Sequence, residues 1–239
     1  MSLPLLVAIV TVAAFAQGLT GFGFGLVAMA LLPWFMDFKD AVALVAVLNL
    51  LVCIATFLTT RRHLVWRRVA PLAAASFLGV PLGVWALVRW DARWLLAVLG
   101  AWMIAFAISE LLLARWWRPR FPEWSGWPVG LVSGALGGAF NAGGPPVIAY
   151  VYSQPWSKEE TVAALQVIFG ASAVMRVALM GGTGLVPSDL MTVCAVSALP
   201  VLGGIALGAR LLRRVPQAAL KVVAAAFFLV MGAKYLLAP

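Results

Sequence analysis

Acidic side chains are scarce in this 239-residue chain: Asp and Glu number 8, and charged residues of both signs make up only 10% of it. Soluble domains carry about a quarter charged residues, so no water-soluble surface can be built from this composition. Histidine occurs once, as His63 in the basic stretch RRHLVWRR, where it reads as an interfacial side chain and not as a metal ligand or a catalytic base. Cysteine occurs twice; Cys53 and Cys194 each sit inside an apolar run with no CxxC spacing and no neighbouring His, and read as packing residues. Neither a metal site nor a nucleophile triad can be assembled from this inventory, so no cofactor and no enzyme activity are expected. The motif GxxxxGK[ST] is missing, which leaves gradients as the energy source for any transport. A basic leader is missing as well: the first Lys or Arg is Lys39, so Leu3 to Ala16, although it ends in Ala14-Phe15-Ala16, reads as part of the mature fold and not as a signal peptide.

What is abundant is apolar. Hydrophobic residues make up 64% of the chain and mean hydropathy is +1.04. Apolar stretches of about 20 residues recur along the length, as a hydrocarbon core of about 30 Å requires of a helix. With lipid as the solvent, backbone pairing forces helices, and the expected fold class is an all-α polytopic membrane protein. The net charge of +9 does not imply a nucleic-acid partner, because the 17 Lys and Arg gather in short clusters between apolar spans, the pattern of topology signals and lipid headgroup contacts. Nine of the eleven Trp (Trp34, Trp66, Trp90, Trp94, Trp116, Trp117, Trp124, Trp127 and Trp156) fall at span ends beside those clusters, as interfacial anchors do.

The chain repeats itself at an offset of about 120 residues. GLTGFGFGL (Gly18 to Leu26) is answered by GGAFNAGGPP (Gly137 to Pro146), LPWFMDFKDAVAL (Leu32 to Leu44) by QPWSKEETVAAL (Gln154 to Leu165), and GVPLG (Gly79 to Gly83) by LPVLGG (Leu199 to Gly204). A duplicated four-segment unit accounts for all three matches, with residues 1–120 and 121–239 as its two copies. The first segment of each copy is unusual. Pro4 to Trp34, as one helix of 31 residues, would be about 46 Å long, too long for the hydrocarbon core; broken at its glycines it gives two pieces of about 14 residues, each too short to cross. Gly126 to Gln154 reads the same way, with Pro145 placed to begin a new half-helix.

Basic residues discriminate between topologies. If all eight segments cross once, Lys and Arg divide 9 to 8; if the first segment of each copy returns to its starting side, Lys39, Arg89, Arg93, Arg176 and Lys234 lie on one side and the other 12 on the opposite one. The positive-inside rule expects the second division. The reading is therefore an inverted repeat of two Gly-broken or re-entrant segments and six full spans, near Asp40 to Thr60, Val69 to Arg89, Trp94 to Arg115, Thr161 to Gly181, Ser188 to Arg210 and Gln217 to Leu237. Basic loops, including His63, Arg118 and Arg213, are expected in the cytoplasm and both termini outside it. Two full crossings by each long segment would give the same parity.

Interrupted helices that meet at the midplane of an inverted repeat are a recurrent plan of secondary transporters. At a break, N–H groups of the next half-helix lack partners and carry the positive end of its dipole, which suits an anion. The candidate substrate-binding residues are accordingly Thr20, Gly21, Gly23 and Gly25 at the first break, and Asn141, Gly143 and Gly144 at the second. Asn49 and Gln166, polar positions within spans, join them, as does Arg176, the Lys or Arg placed inside an apolar span in SAVMRVALMGG. Competing readings stand beside these: glycines that only let helices pack closely, Asn49 and Gln166 as helix-to-helix hydrogen bonds, and an Arg176 that snorkels or pairs with a carbonyl. Acidic residues sit mainly at helix starts (Asp37, Asp40, Glu159, Glu160), with Glu110 deeper, and so few buried carboxylates favour an anionic cargo over a cation.

With QGLTGFGFGL near the start and GGAFNAGGPP opening the second half, the chain resembles the TauE/SafE-type sulfite exporter family, also called the 4-toluene sulfonate uptake permease family. The resemblance implies a permease of the bacterial inner membrane for sulfur-containing anions such as sulfite or sulfonates, with eight spans in the usual description. The expected function is thus a secondary transporter of a small anion, with an anion channel or a carrier of small carboxylates as alternatives. Membrane lipid and the anionic solute are the expected partners, and a homo-oligomer is left open.

Overall fold

The computed structural model describes residues 3–109, 111, 121–182, 188–211 and 217–237, and among them every regular element is helical. The first Gly-rich segment forms α1 (Leu3–Thr20) and the short α2 (Phe24–Leu31), followed by a single 3-10 turn at Leu32–Trp34. Helices α3 (Phe38–Thr60), α4 (Trp66–Arg89) and α5 (Ala92–Ile108) follow. The second Gly-rich segment forms α6 (Gly126–Phe140) and α7 (Gly144–Ser153), before α8 (Lys158–Gly182), α9 (Ser188–Leu211) and α10 (Gln217–Leu237). Five of these, α1, α3, α4, α8 and α9, are long and apolar enough to cross a bilayer; α5 and α10 are apolar but shorter over their described residues. The expected span Trp94 to Arg115 is helical through Ile108; Glu110, Arg115, Trp116, Trp117, Arg118, Arg120, Arg213 and Arg214 lie outside the described residues.

Both expected breaks are present, but the first is off-centre. Helix α1 has 18 residues and α2 has 8, about 27 Å and 12 Å, where two equal pieces were expected. The cause is local: Gly21 (φ 81°) and Gly23 (φ 106°) adopt left-handed backbone, and nothing before them obstructs a helix. At the second break the left-handed residue is Asn141 (φ 56°), which closes α6 much as a C-terminal glycine would. Other boundaries follow capping chemistry. The Asp37 carboxylate accepts the Lys39 N–H (2.8 Å) at the start of α3. Before α8, Ser157 Oγ accepts the Glu160 N–H (3.1 Å) while the Glu160 carboxylate accepts the Ser157 N–H (2.8 Å), a reciprocal capping box.

Packing crosses between the halves. Helix α1 lies along α9 and α4 along α6, while α3 packs on α8 and α5 on α10. The first two contacts are backbone-close: a Cβ at Gly208 would overlap the Phe15 carbonyl, and one at Gly83 the Ala135 carbonyl, so small residues bring helices together where no hydrophobic effect can. Helices α2 and the first half of α3 are enclosed, with Ala41 through Ala46 at most 1% exposed. Outward faces are apolar instead of polar, as at Leu82, Trp85 and Leu199, the last 80% exposed in mid-helix; such surfaces need lipid.

Three sets of contacts fix which ends lie together. The two ends of the second Gly-rich segment are side by side: Gln154 Nε2 donates to the Phe121 carbonyl (3.0 Å), and Tyr150 Oη to the Glu123 carbonyl (3.2 Å). Arg68 at the start of α4 pairs with Glu160 at the start of α8 (3.8 Å). At the other end of the bundle, Lys234 Nζ of α10 lies over the Trp34 ring after α2, and Tyr235 Oη donates to the Ala30 carbonyl (2.9 Å).

Candidate functional site

The two breaks touch. Gly25, in the first turn of α2, packs so closely on Asn141 that a Cβ would overlap the Asn141 carbonyl oxygen. Beside this contact lies a cavity of about 40 Å³, lined by Gln17, Gly23 to Leu26, Asn49, Ser133, Gly137, Asn141, Gly143, Gly144, Phe169, Ser172 and Arg176. That volume holds little more than one small polar group or ion.

The first break is held by amides. Gln17 reaches across it, its Oε1 accepting the Phe24 N–H (3.0 Å) and its Nε2 directed at the Gly21 carbonyl (3.4 Å). Gln166 Nε2, from α8, donates to the same carbonyl (3.1 Å). Thr20 Oγ1 donates to the Ala16 carbonyl (2.9 Å) and accepts the Phe22 N–H (3.3 Å). Val27 N–H returns to the Gly23 carbonyl (2.9 Å) and Phe24 N–H is taken by Gln17. The N–H groups of Gly25 and Leu26 are thus left without backbone acceptors, at the positive end of the α2 dipole and on the cavity wall.

The second break is built differently. Ser133 Oγ donates to the Gly143 carbonyl (2.6 Å), Trp102 Nε1 to the Ala142 carbonyl (3.0 Å), and Asn141 Nδ2 to the Val42 carbonyl (3.0 Å). Pro145 and Pro146 have no N–H to offer, so the start of α7 presents fewer donors than the start of α2. Positive charge comes instead from Arg176, 2% exposed on α8, whose Nη1 donates to the Gly137 carbonyl in the last turn of α6. Its Nε has no partner, nor has Asn141 Oδ1. Among the described residues no carboxylate lines the cavity and no group of His, Cys, Asp and Glu could hold a metal. The small cavity thus combines a buried guanidinium with N–H groups that lack backbone acceptors.

Residues 6–235 match the family model described as Sulfite exporter TauE/SafE. The chain belongs to this family. Among its relatives, a protein named probable sulfite/organosulfonate exporter TauE from Cupriavidus necator is 27% identical over 206 residues, covering 83% of this chain and 80% of the relative. A probable inner membrane transporter protein TsaS from Comamonas testosteroni is 25% identical over 172 residues, 72% of each chain. No solved structure matches. TauE/SafE is a family of exporters and not of enzymes, and with its apolar helices the chain is an integral, multi-pass membrane transporter.

Within this TauE/SafE chain, Gly23, Gly25, Asn49, Asn141, Gly143, Gly144 and Arg176 come together at the cavity. Thr20, Gly21 and Gln166 do not line it; they form the hydrogen-bonded support of the first break. Arg176 meets the Gly137 carbonyl and lines the cavity at once, and its burial rules out snorkelling. The glycines likewise divide: Gly21 and Gly23 turn the chain, whereas Gly143 is needed because a Cβ there would overlap the Ser133 carbonyl. Ser133, Phe169 and Trp102 were not singled out in the sequence. Ser133 stands one turn before Gly137 and two before Asn141, a helical spacing that marks the same face; Trp102, like Trp85, is not among the tryptophans at span ends. Phe169 carries no such signal.

Proposed function

We propose that this protein is a secondary transporter that moves a small sulfur oxyanion or organosulfonate across the bacterial inner membrane, holding it between the two helix breaks. The observation that carries the reading is the buried guanidinium of Arg176 in a cavity without carboxylates. A charge so deep in an apolar helix is costly unless a cargo or partner requires it. Gly23, Gly25, Asn141, Gly143, Gly144, Asn49 and Arg176 contact the anion, while Thr20, Gly21 and Gln166 hold the first break open.

Residues 1–120 and 121–239 act as two inverted copies in this reading, rocking about the shared cavity. Three features support it. Exchanging the halves exchanges α1 on α9 for α6 on α4 and leaves α3 on α8 and α5 on α10 unchanged. Eight single crossings would put Arg68 opposite Glu160 and Trp34 opposite Lys234, yet both pairs are in contact. The adjacent ends of the second Gly-rich segment are those of a re-entrant hairpin. With Arg176 at membrane depth it drops out of the charge division, which then favours still more strongly a cytoplasmic location for the basic loops, with both termini outside.

The test is flux into proteoliposomes loaded with unlabelled sulfite. Saturable uptake of labelled sulfite, accelerated by internal sulfite, is expected of a carrier. Unsaturated conductance would make the protein a channel, and no flux of any sulfur anion would overturn the reading.

A further inference from the structure

The cavity has a closed end and an open one, and different side chains stand at each. Ser133, Gly137, Gly143 and Arg176 are buried, and a Cβ on Gly137 would lie 3.6 Å from Arg176 Nη1, so the cation stands at the closed end. The lining residues that keep partial exposure are Gly23, Asn49, Gly144 and Phe169. They come from the first break, α3, α7 and α8, and together they form the mouth. Two of them are glycines, so the width of the mouth is set by the other two, and Phe169 brings the bulk. Its ring packs against the cluster of Val147, Ile148, Leu165 and Ile168, which holds it in place. On the α7 side the gap is one carbon wide: a Cβ on Gly144 would already touch Phe169 Cζ (3.8 Å) and press on Ile148 Cδ1 (3.3 Å).

A cavity of about 40 Å³ has room for the oxygen-bearing head of a sulfur anion and none for a chain. With the oxygens turned to the cation at the closed end, any substituent on sulfur points out through the mouth and meets the ring. We infer that Phe169 sets the size limit of the cargo: compact anions such as sulfite and methanesulfonate pass it, and sulfonates with longer chains are turned away. This rests on the anion-carrier reading above and adds the class of sulfonate that the site accepts. An apolar ring with free space beside it would do the opposite and strengthen binding about fourfold for each methylene it covered. Here the ring is anchored and the gap beside Gly144 is already filled by one carbon, so a longer chain forces an overlap, and one methylene too many in a fitted site weakens binding about tenfold or more.

The test is binding of methane-, ethane- and propanesulfonate to the purified full-length protein, with sulfite as the probe of the head site. The three sulfonates are permanent monoanions that share one head and differ in chain length alone. In the wild-type protein affinity is expected to fall about tenfold or more from methane- to propanesulfonate. Phe169→Ala should reverse the order, the longer chain then gaining the apolar contact that the ring had denied it, and Phe169→Leu, which keeps much of the packing, should flatten it. Gly144→Ala narrows the gap from the α7 side and should lower the limit by one carbon, weakening methanesulfonate about tenfold relative to sulfite. Each comparison is a ratio within one protein, so a change in the stability of a variant does not enter it, and the wild-type order with Gly144→Ala still decides if Phe169→Ala does not fold. Affinity that is level or rises with chain length in the wild-type protein overturns the inference, as does a falling order that the Phe169 variants leave unchanged; both leave the anion site standing. Binding of neither sulfite nor any sulfonate overturns the anion-carrier reading itself.

Discussion

Replacing Arg176 with Gln removes the charge of the cavity while keeping a polar side chain. The fold should tolerate it. The Gly137 carbonyl that Arg176 meets also accepts the Asn141 N–H (3.0 Å), so no acceptor is orphaned, and Arg176 Nε has no partner to lose. Removing a buried cation also removes its desolvation penalty, and no carboxylate lining the cavity is left unpaired. Binding is another matter: a charged hydrogen bond to the anion contributes about 1.5 to 3 kcal/mol, a loss of roughly 10- to 150-fold in affinity. A thermal-unfolding series with sulfite separates the two effects. At a concentration about 100 times the wild-type Kd, ligand stabilises the native state by about 2.7 kcal/mol; after a 100-fold loss of affinity the same concentration gives about 0.4 kcal/mol. The ligand-free Tm should stay within a few degrees of wild type while the ligand-induced shift collapses. Arg176→Lys, which keeps the charge without the planar fork, should retain part of the shift and discriminate less among oxyanions. An Arg176→Gln protein of normal stability and undiminished sulfite shift would refute the argument and leave the backbone breaks as the whole anion site.

Other expectations follow from the packing. In a cysteine-free background, single cysteines at His63 and Ser157 should label from the same face of the membrane and one at Arg89 from the opposite face; labelling of His63 and Ser157 from opposite faces would restore eight single crossings. Gly25→Ala should separate the two breaks, because its Cβ would overlap the Asn141 carbonyl; overpacking of this kind costs about 1 to 3 kcal/mol, and sulfite flux should vanish along with a fall in Tm. Gly143→Leu should behave alike through the Ser133 carbonyl, and normal flux through either variant would reduce these glycines to spacers. Ser157→Ala removes half of the α8 capping box and should cost about 1 kcal/mol in unfolding measurements while leaving sulfite affinity unchanged.

How far the sequence alone could go is clearest at the breaks and at Arg176. Composition and the lengths of the apolar runs determined a helical membrane protein, because lipid leaves the backbone no other way to pair. The glycines of GLTGFGFGL and GGAFNAGGPP marked both interruptions within a few residues, although at the second the left-handed residue is Asn141 and not a glycine. Whether the interruptions meet was not legible. That depends on Gly25 fitting against Asn141, residues 116 positions apart along the chain, and nothing local records the fit. Likewise the sequence identified Arg176 as a cation in an apolar helix but could not say whether it snorkels, pairs or faces a cavity; packing of α8 against α3, α4 and α6 closed the route to the headgroups. The division of labour between the breaks was also a tertiary matter. Both carry the same glycine signature, yet Gln17 and Gln166 leave two N–H groups free at α2, whereas prolines empty the start of α7 and Arg176 supplies the charge there. A side chain's local neighbours in sequence set the conformation it permits, but which groups remain unpaired is decided only when distant helices have taken their partners.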